Sequence, residues 1–322
     1  MKYAVSATPE LVESYGRLFV NRGAYTLQSM RPDPENGRHH YYRPKAPKTG
    51  RELALNAGTI RRHLQGEITI GLYAISPLTQ RSKWVAIDAD YAGAMEDLLK
   101  LQYSLQQDRV EAALEMSKRG GHLWIFMEPP ALARECRVYI YNLALKLGMR
   151  IKGHGLAEGI EIFPKHDEVR PGEYGNAIRG PLGIHRGANR RYWFYGADYD
   201  LEKQMAYLGQ LRKLNEEELR SFIAGKAMPA EFERKPSAPW SETIPPSSGH
   251  EFRMLNHVGK TRKVGRNYVT RCPSCAEAGQ DRSGDNLAIS IDDPRKYLCW
   301  AGCTKEMIRR AVGCPIPTRR LA

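Results

Sequence analysis

Near the C-terminal end, RCPSCAEAGQDRSGDNLAISIDDPRKYLCWAGC (residues 271–303) spaces four thiols as C-x2-C, then 23 residues, then C-x3-C. Two thiol knuckles a hairpin apart can meet only if the chain between them doubles back. When they meet they close a tetrahedral four-sulfur site suited to Zn²⁺. The segments DNLAISI and KYLCW, on either side of the turn-prone DDP, predict the strands of that hairpin. Cys272, Cys275, Cys299 and Cys303 are therefore expected to hold a structural Zn²⁺ in a zinc ribbon, the competing reading being four buried, unliganded thiols. Cys314 falls outside the spacing, and Cys136 reads as a helix core residue.

That module fills only the end of a chain of 322 residues, long enough for a larger domain before it. Residues 226–250, rich in Pro, Ser and Glu, cannot support a core and read as a linker. Three segments follow: 1–225, the linker at 226–250, and the ribbon at 251–322. The net charge is +13, of which +7 lies in residues 251–322, and this points to a polyanionic partner over plain solubility. No stretch reaches the ~18 apolar residues of a membrane span. The start lacks the order of a secretory signal, so a cytoplasmic, nucleoid-associated protein is expected, its clustered thiols kept reduced.

In residues 1–225, helical spacing over AMEDLLKLQYSLQQ and ARECRVYIYNLALKLGM alternates with the apolar strand runs ITIGLYAIS, KWVAIDAD, HLWIFME and GIEIFPK. The alternation predicts α/β or α+β. GRELALNAGTIRRHLQGE predicts a short amphipathic helix, and YLGQLRKLNEEELRSFIAG keeps leucines at helical spacing throughout.

The strand KWVAIDADYAG ends in Asp88 and Asp90, whose side chains fall on one face. Such a pair repels itself unless a cation sits between, and oxygen ligands at close quarters suit Mg²⁺ or Mn²⁺. A solvated strand end would explain the pair as well. Downstream, SKRGGHLWIF places Ser117 and His122 about a Gly-Gly turn, where backbone can approach a phosphate. GIEIFPKHDEV sets Glu161 between two isoleucines, with Lys165, His166 and Asp167 beyond it. YGNAIRGPLGIHRGANRRYWFYG reads as a basic, aromatic loop carrying Arg179, His185, Arg186, Arg190 and Arg191.

The order acid-x-acid, Ser…Gly-Gly-His, strand acid and Arg-Gly-Pro-Leu-Gly-x-His resembles the archaeo-eukaryotic primase superfamily, especially the primase-polymerases of mobile elements and defence systems. The resemblance covers residues 15–200. It implies an α+β core, a small α/β unit packed on an RRM-like unit with the active site between them. It also implies that Asp88, Asp90 and Glu161 bind two catalytic Mg²⁺ or Mn²⁺ ions and that His122 and Ser117 meet the incoming nucleotide. Lys165, Arg179 and His185 would hold phosphates. The superfamily usually places Asp where this chain has Glu161, which leaves Asp167 as the substitute. The thiol module is similar to the zinc-binding domain of bacterial replicative primases, with Cys275 where a histidine often stands. That likeness implies template binding through Lys260, Arg262, Lys263 and Arg266, with Arg282 as a further contact.

The combined reading is a DNA primase or primase-polymerase, a nucleotidyltransferase of DNA replication working on single-stranded template and nucleoside triphosphates. A replicative helicase is a candidate partner, and no membrane is involved. Two alternatives stand beside it: a primer-dependent gap-filling or translesion polymerase, and a non-catalytic zinc-ribbon protein that binds nucleic acid.

Overall fold

The run RSKWVAIDA can lie only at the centre of a sheet, because it is apolar on both faces: Trp84, Val85, Ala86 and Ile87 are all fully buried. The computed structural model describes residues 6–153, 156, 158–170, 172–233, 252–281, 283–293 and 295–316. Most of the 226–250 linker and Arg282 lie outside the described residues. The chain divides into two compact units, residues 1–151 with 158–229, and residues 152–157 with 230–322.

In the first unit the order is α1 (Pro9–Phe19), β1 (Tyr25–Gln28), β2 (Tyr41–Tyr42), α2 (Ala57–Leu64), β3 (Ile70–Tyr73), β4 (Arg81–Ala89), α3 (Ala94–Gln107) and β5 (Ala112–Met116). There follow β6 (Gly121–Leu132), α4 (Ala133–Lys146), β7 (Glu161–Phe163), β8 (Ala177–Arg179), β9 (Ile184–His185), β10 (Arg190–Arg191), α5 (Leu201–Gln210) and α6 (Glu216–Ile223). The stretch β4-α3-β5-β6-α4-β7 makes an antiparallel sheet in the order β5-β6-β4-β7, the split βαβ arrangement of an RRM-like unit. A second antiparallel sheet, β2-β1-β3-β8, draws its last strand from the distant end of the unit. The class is α+β.

One core joins the two sheets. Trp84, Trp124 and Phe126 of the RRM-like sheet pack with Ile70, Leu72 and Ile178 of the other and with Tyr15 and Phe19 of α1. Helix α3 turns Ala94, Leu98, Leu101 and Leu105 inward at helical spacing, and α1 is opened by Thr8, whose hydroxyl accepts from Leu11 N–H. The outer edge of β5 is covered by residues 193–195: Met116 N–H bonds Trp193 C=O, and Tyr195 N–H bonds Leu114 C=O.

Three local expectations change. The leucine pattern at 207–225 is not one helix, because Asn215 starts α6 with a capping box to Glu218 and the chain breaks between α5 and α6. In residues 50–67 only Ala57–Leu64 is helical, since Asn56 caps the chain there. The basic loop at 174–196 contains β8 and the hairpin β9-β10, strands too short to show a period-2 pattern.

In the second unit β11 (Arg262–Val264), β12 (Asn267–Thr270), β13 (Leu287–Ser290) and β14 (Tyr297–Cys299) form an antiparallel sheet in sequence order. The short helices α7 (Pro273–Glu277) and α8 (Lys305–Ala311) complete it. Met254, Leu287, Ile289 and Ile308 form its small core with three of the cysteines. Among the described residues no helix is long and apolar enough to cross a membrane.

The Gly-Gly turn has a steric cause. A Cβ on Gly120 would lie 2.1 Å from the Ala89 carbonyl oxygen, so only glycine lets the turn before β6 close against the end of β4. Gly120→Ala is therefore expected to cost about 1–3 kcal/mol of unfolding free energy, measured by urea denaturation of the full chain.

Candidate active site

Cross-strand register sets four polar side chains in one row across an apolar sheet. Asp88 of β4 lies opposite His122 of β6 on one side and Glu161 of β7 on the other, and His122 in turn lies opposite Glu115 of β5. Facing residues in adjacent strands share a sheet face, so the row Glu115, His122, Asp88, Glu161 points one way. Glu115 is fully buried, His122 nearly so, and Asp88 and Glu161 are half-buried.

His122 donates from Nδ1 to Glu115 Oε2 at 2.7 Å and holds Nε2 at 3.5 Å from Asp88 Oδ1. Burial alone would lower the pKa of this imidazole, but the carboxylates of Glu115 and Asp88 outweigh it and raise the value to about 9. Asp90, just past β4, accepts from Ser117 Oγ at 3.1 Å and from Arg119 Nη2 at 2.6 Å. Its burial would raise its pKa, yet the Arg119 contact leaves it below the ordinary carboxylate value. Glu161 forms an ion pair with Lys165. Asp167, in contrast, is paired with Arg137 of α4 and does not line the cleft.

The facing wall comes from the other sheet. Arg179 of β8, 8% exposed, donates from Nη2 to Glu115 Oε1 at 2.8 Å. Tyr41 of β2, Gln28 of β1 and His185 of β9 line the same side. Burial and the nearby Arg179 charge lower the His185 pKa. The loop from Arg179 to His185 rests on His63 of α2, which is fully buried: Nε2 lies 3.0 Å from Pro181 C=O and Nδ1 accepts from Ile70 N–H at 3.3 Å. Burial is the main reason its pKa falls to about 4, so this histidine is a neutral brace. Arg191 donates to the carbonyls of Leu182 and Leu64, fixing the loop from its other end. Arg186 does similar work on Gly66 C=O at 2.8 Å.

Between the walls is a cleft of about 320 Å³. It gathers Asp88, Asp90, Ser117, His122, Glu161, Lys165, Arg179 and His185, eight residues named from sequence, beside Tyr41, Gln28 and Lys118, which were not. Acids on one wall and cations on both can hold a polyphosphate together with divalent metal. The donor set fits Mg²⁺ or Mn²⁺: it is all oxygen, and Asp88 Oδ1 is buried yet accepts no hydrogen bond. Asp90 is paired with Arg119 and Glu161 with Lys165, whereas among the described residues the thiols of the second unit form the tight cluster. Glu115, behind the cleft, is a further residue missed from sequence. Its signal was the one used for Glu161, an acid inside an apolar strand, AALEM.

In the second unit the sulfurs of Cys272, Cys275, Cys299 and Cys303 all lie within 4.8 Å of one another, with Cys275 3.5 Å from Cys299 and 3.3 Å from Cys303. Four thiolates at ~2.3 Å from a tetrahedral Zn²⁺ would stand about 3.8 Å apart, so the cluster fits that ion. Asp281, buried and overlooked in the sequence, shapes the loop after the first knuckle. It accepts from the backbone N–H of Cys272 at 2.6 Å and of Gly284 at 2.8 Å. Lys260, Arg262, Lys263 and Arg266 are exposed around β11, Arg266 in an ion pair with Asp292 at 2.6 Å. Along β14 and just past it, the inward Tyr297 and Cys299 alternate with Leu298 and Trp300, which are more than half exposed.

Residues 29–222 match the family described as TOTE conflict system, Archaeo-Eukaryotic Primase domain. The chain belongs to this family. Archaeo-eukaryotic primases are nucleotidyltransferases that act on DNA and nucleotides with divalent metal, and the matched region spans both walls of the cleft. Among solved structures, the catalytic domain of primase RepB′ in complex with initiator DNA is similar over 63% of this chain and 94% of its own, at 10% identity and a TM-score of 0.33. The polymerase domain of Mycobacterium tuberculosis ligase D in complex with DNA is similar over 68% of this chain and 89% of its own, at 12% identity and a TM-score of 0.30. No curated protein matches the chain.

For this primase-family chain the thiol cluster predicts one equivalent of tightly held zinc, counted by native mass spectrometry. Cys303→Ser is expected to lower that occupancy, and retention of a full equivalent in Cys272→Ser with Cys303→Ser would count against a four-sulfur site.

Proposed function

We propose that the chain is a DNA primase or primase-polymerase that joins nucleoside triphosphates on a single-stranded template. One observation carries the reading: Asp88, Asp90 and Glu161 open onto the same cleft as Ser117, His122, Lys165, Arg179 and His185. A polymerase site needs this pairing of an anionic wall for metal with a cationic wall for triphosphate.

In this reading Asp88, Asp90 and Glu161 hold two Mg²⁺ or Mn²⁺ ions. When bound, these ions lower the pKa of an attacking 3′-hydroxyl and neutralise the departing pyrophosphate. The chain's own cations do the rest. Arg179 offers a planar guanidinium, and His122, held by Glu115 on one side, turns Nε2 toward the cleft where it can donate to a phosphate oxygen. Lys165 and His185 add charge at the ends, and Ser117 orients Asp90 until a nucleotide arrives. Glu161 is favoured over Asp167 as third acid because it stands in the Asp88 row, while Asp167 is paired with Arg137.

The ribbon is assigned to template binding, through Lys260, Arg262, Lys263 and Arg266 and through Trp300, whose ring offers a stacking surface. A zinc ribbon in the same chain as a polymerase cleft favours priming over gap filling or extension alone, and the carboxylate row is more than a purely binding protein requires.

Asp88→Ala with Asp90→Ala is expected to abolish nucleotide incorporation while circular dichroism and template affinity stay near wild type. Full activity in that variant would overturn the assignment. Incubation with free nucleotides on unprimed circular single strands should yield product, and a strict need for a primer would make the protein an extending polymerase. Mn²⁺ binding followed by electron paramagnetic resonance should weaken in Glu161→Gln and not in Asp167→Asn. Trp300→Ala should weaken template affinity by about 1–3 kcal/mol, read by fluorescence anisotropy at fixed salt.

A further inference from the structure

Glu115 lies outside the set of residues that would touch metal or nucleotide, yet it is a fully buried and heavily used carboxylate. It is 0% exposed and accepts three hydrogen bonds: from His122 Nδ1 at 2.7 Å, Trp124 Nε1 at 3.2 Å and Arg179 Nη2 at 2.8 Å. His122 and Trp124 belong to β6 of the RRM-like sheet, Arg179 to β8 of the other. The two carboxylate oxygens divide the work, Oε2 serving the first sheet and Oε1 the second.

An ionised carboxylate in such a place is costly unless it is fully paired, and an apolar side chain of similar volume would fill the core at least as well. Packing therefore does not account for an acid here. What the acid does and an apolar residue could not do is aim two cations at one cleft. A proton on His122 Nδ1 is engaged by Glu115, so Nε2 is the nitrogen turned toward Asp88 and the cleft. Arg179 is held by one arm of its guanidinium at the same carboxylate.

We propose that Glu115 is the positioning residue of this site, a buried carboxylate that orients His122 and Arg179 toward the triphosphate from behind and ties the two walls of the cleft together. The assignment rests on the nucleotide-binding reading of the cleft given above. It extends that reading to a residue that does not touch the ligand.

The test uses the full chain and deoxyadenosine triphosphate with Mn²⁺ as probe. Glu115→Gln should raise the nucleotide Kd and KM by about 10–100-fold, with kcat changed less and single-stranded DNA affinity unchanged. In an Arg179→Ala background the same substitution should have a several-fold smaller effect, because it acts through that side chain. Equal nucleotide binding by Glu115→Gln and wild type, or an undiminished effect in the Arg179→Ala background, would overturn the proposal. Should Glu115→Gln fail to fold, long-range ¹H–¹⁵N correlation of histidine-labelled wild type decides: His122 should carry a hydrogen-bonded proton on Nδ1, and an unprotonated Nδ1 overturns the assignment. If wild type binds no nucleotide, the parent reading fails, and the His122 spectrum still reports on Glu115.

Discussion

Side-chain alternation in β-strands is the constraint on which the candidate site depends. The period of two puts Glu115, His122, Asp88 and Glu161 on one face only while four strands keep their register, and a slip of one residue in any strand would bury its member on the opposite face. The register is defended by the large apolar residues farther along the same strands. Trp84 and Trp124 meet edge to face at 5.0 Å, and Trp84 Nε1 donates to Phe19 C=O at 2.8 Å, tying β4 to α1. The polar row is narrow and its apolar frame is wide, a proportion that lets the unit carry costly charges.

Those charges are balanced pairwise. Arg119 answers Asp90, Lys165 answers Glu161, and Arg179 with His122 answers Glu115. Asp88 Oδ1 is buried without a hydrogen bond and has His122 Nε2 3.5 Å away, so its charge is the least directly paired in the row. The second unit solves a different problem. With a core of a few residues it has little apolar area to bury, and four thiols placed to hold a metal would supply the closure that a larger core would otherwise give.

Much of this was legible in the sequence because the elements concerned are long or strongly patterned. Helix α3 spans the residues its periodicity predicts, and the thiol spacing announces the cluster seen in the second unit. The acids and basic residues of the cleft were visible one by one as polar groups in apolar or glycine-rich settings. What was hidden depends on pairing across distance. Strands β8, β9 and β10 have two or three residues each and exist only because tertiary partners hold them. Glu115 looked ordinary, since nothing local shows that Arg179, 64 residues on, will arrive at its other oxygen. The break between α5 and α6 was signalled by Asn215 and Glu218, and leucine spacing drowned it out.

The cleft is walled by two sheets whose strands interleave along the chain, β8 returning to complete a sheet begun by β1 more than 140 residues earlier. A ligand that touches both walls can recognise only the closed arrangement. Its binding free energy is then added to that of folding, in proportion to the logarithm of ligand concentration. A nucleotide held as proposed would then act as a structural strut between the two sheets.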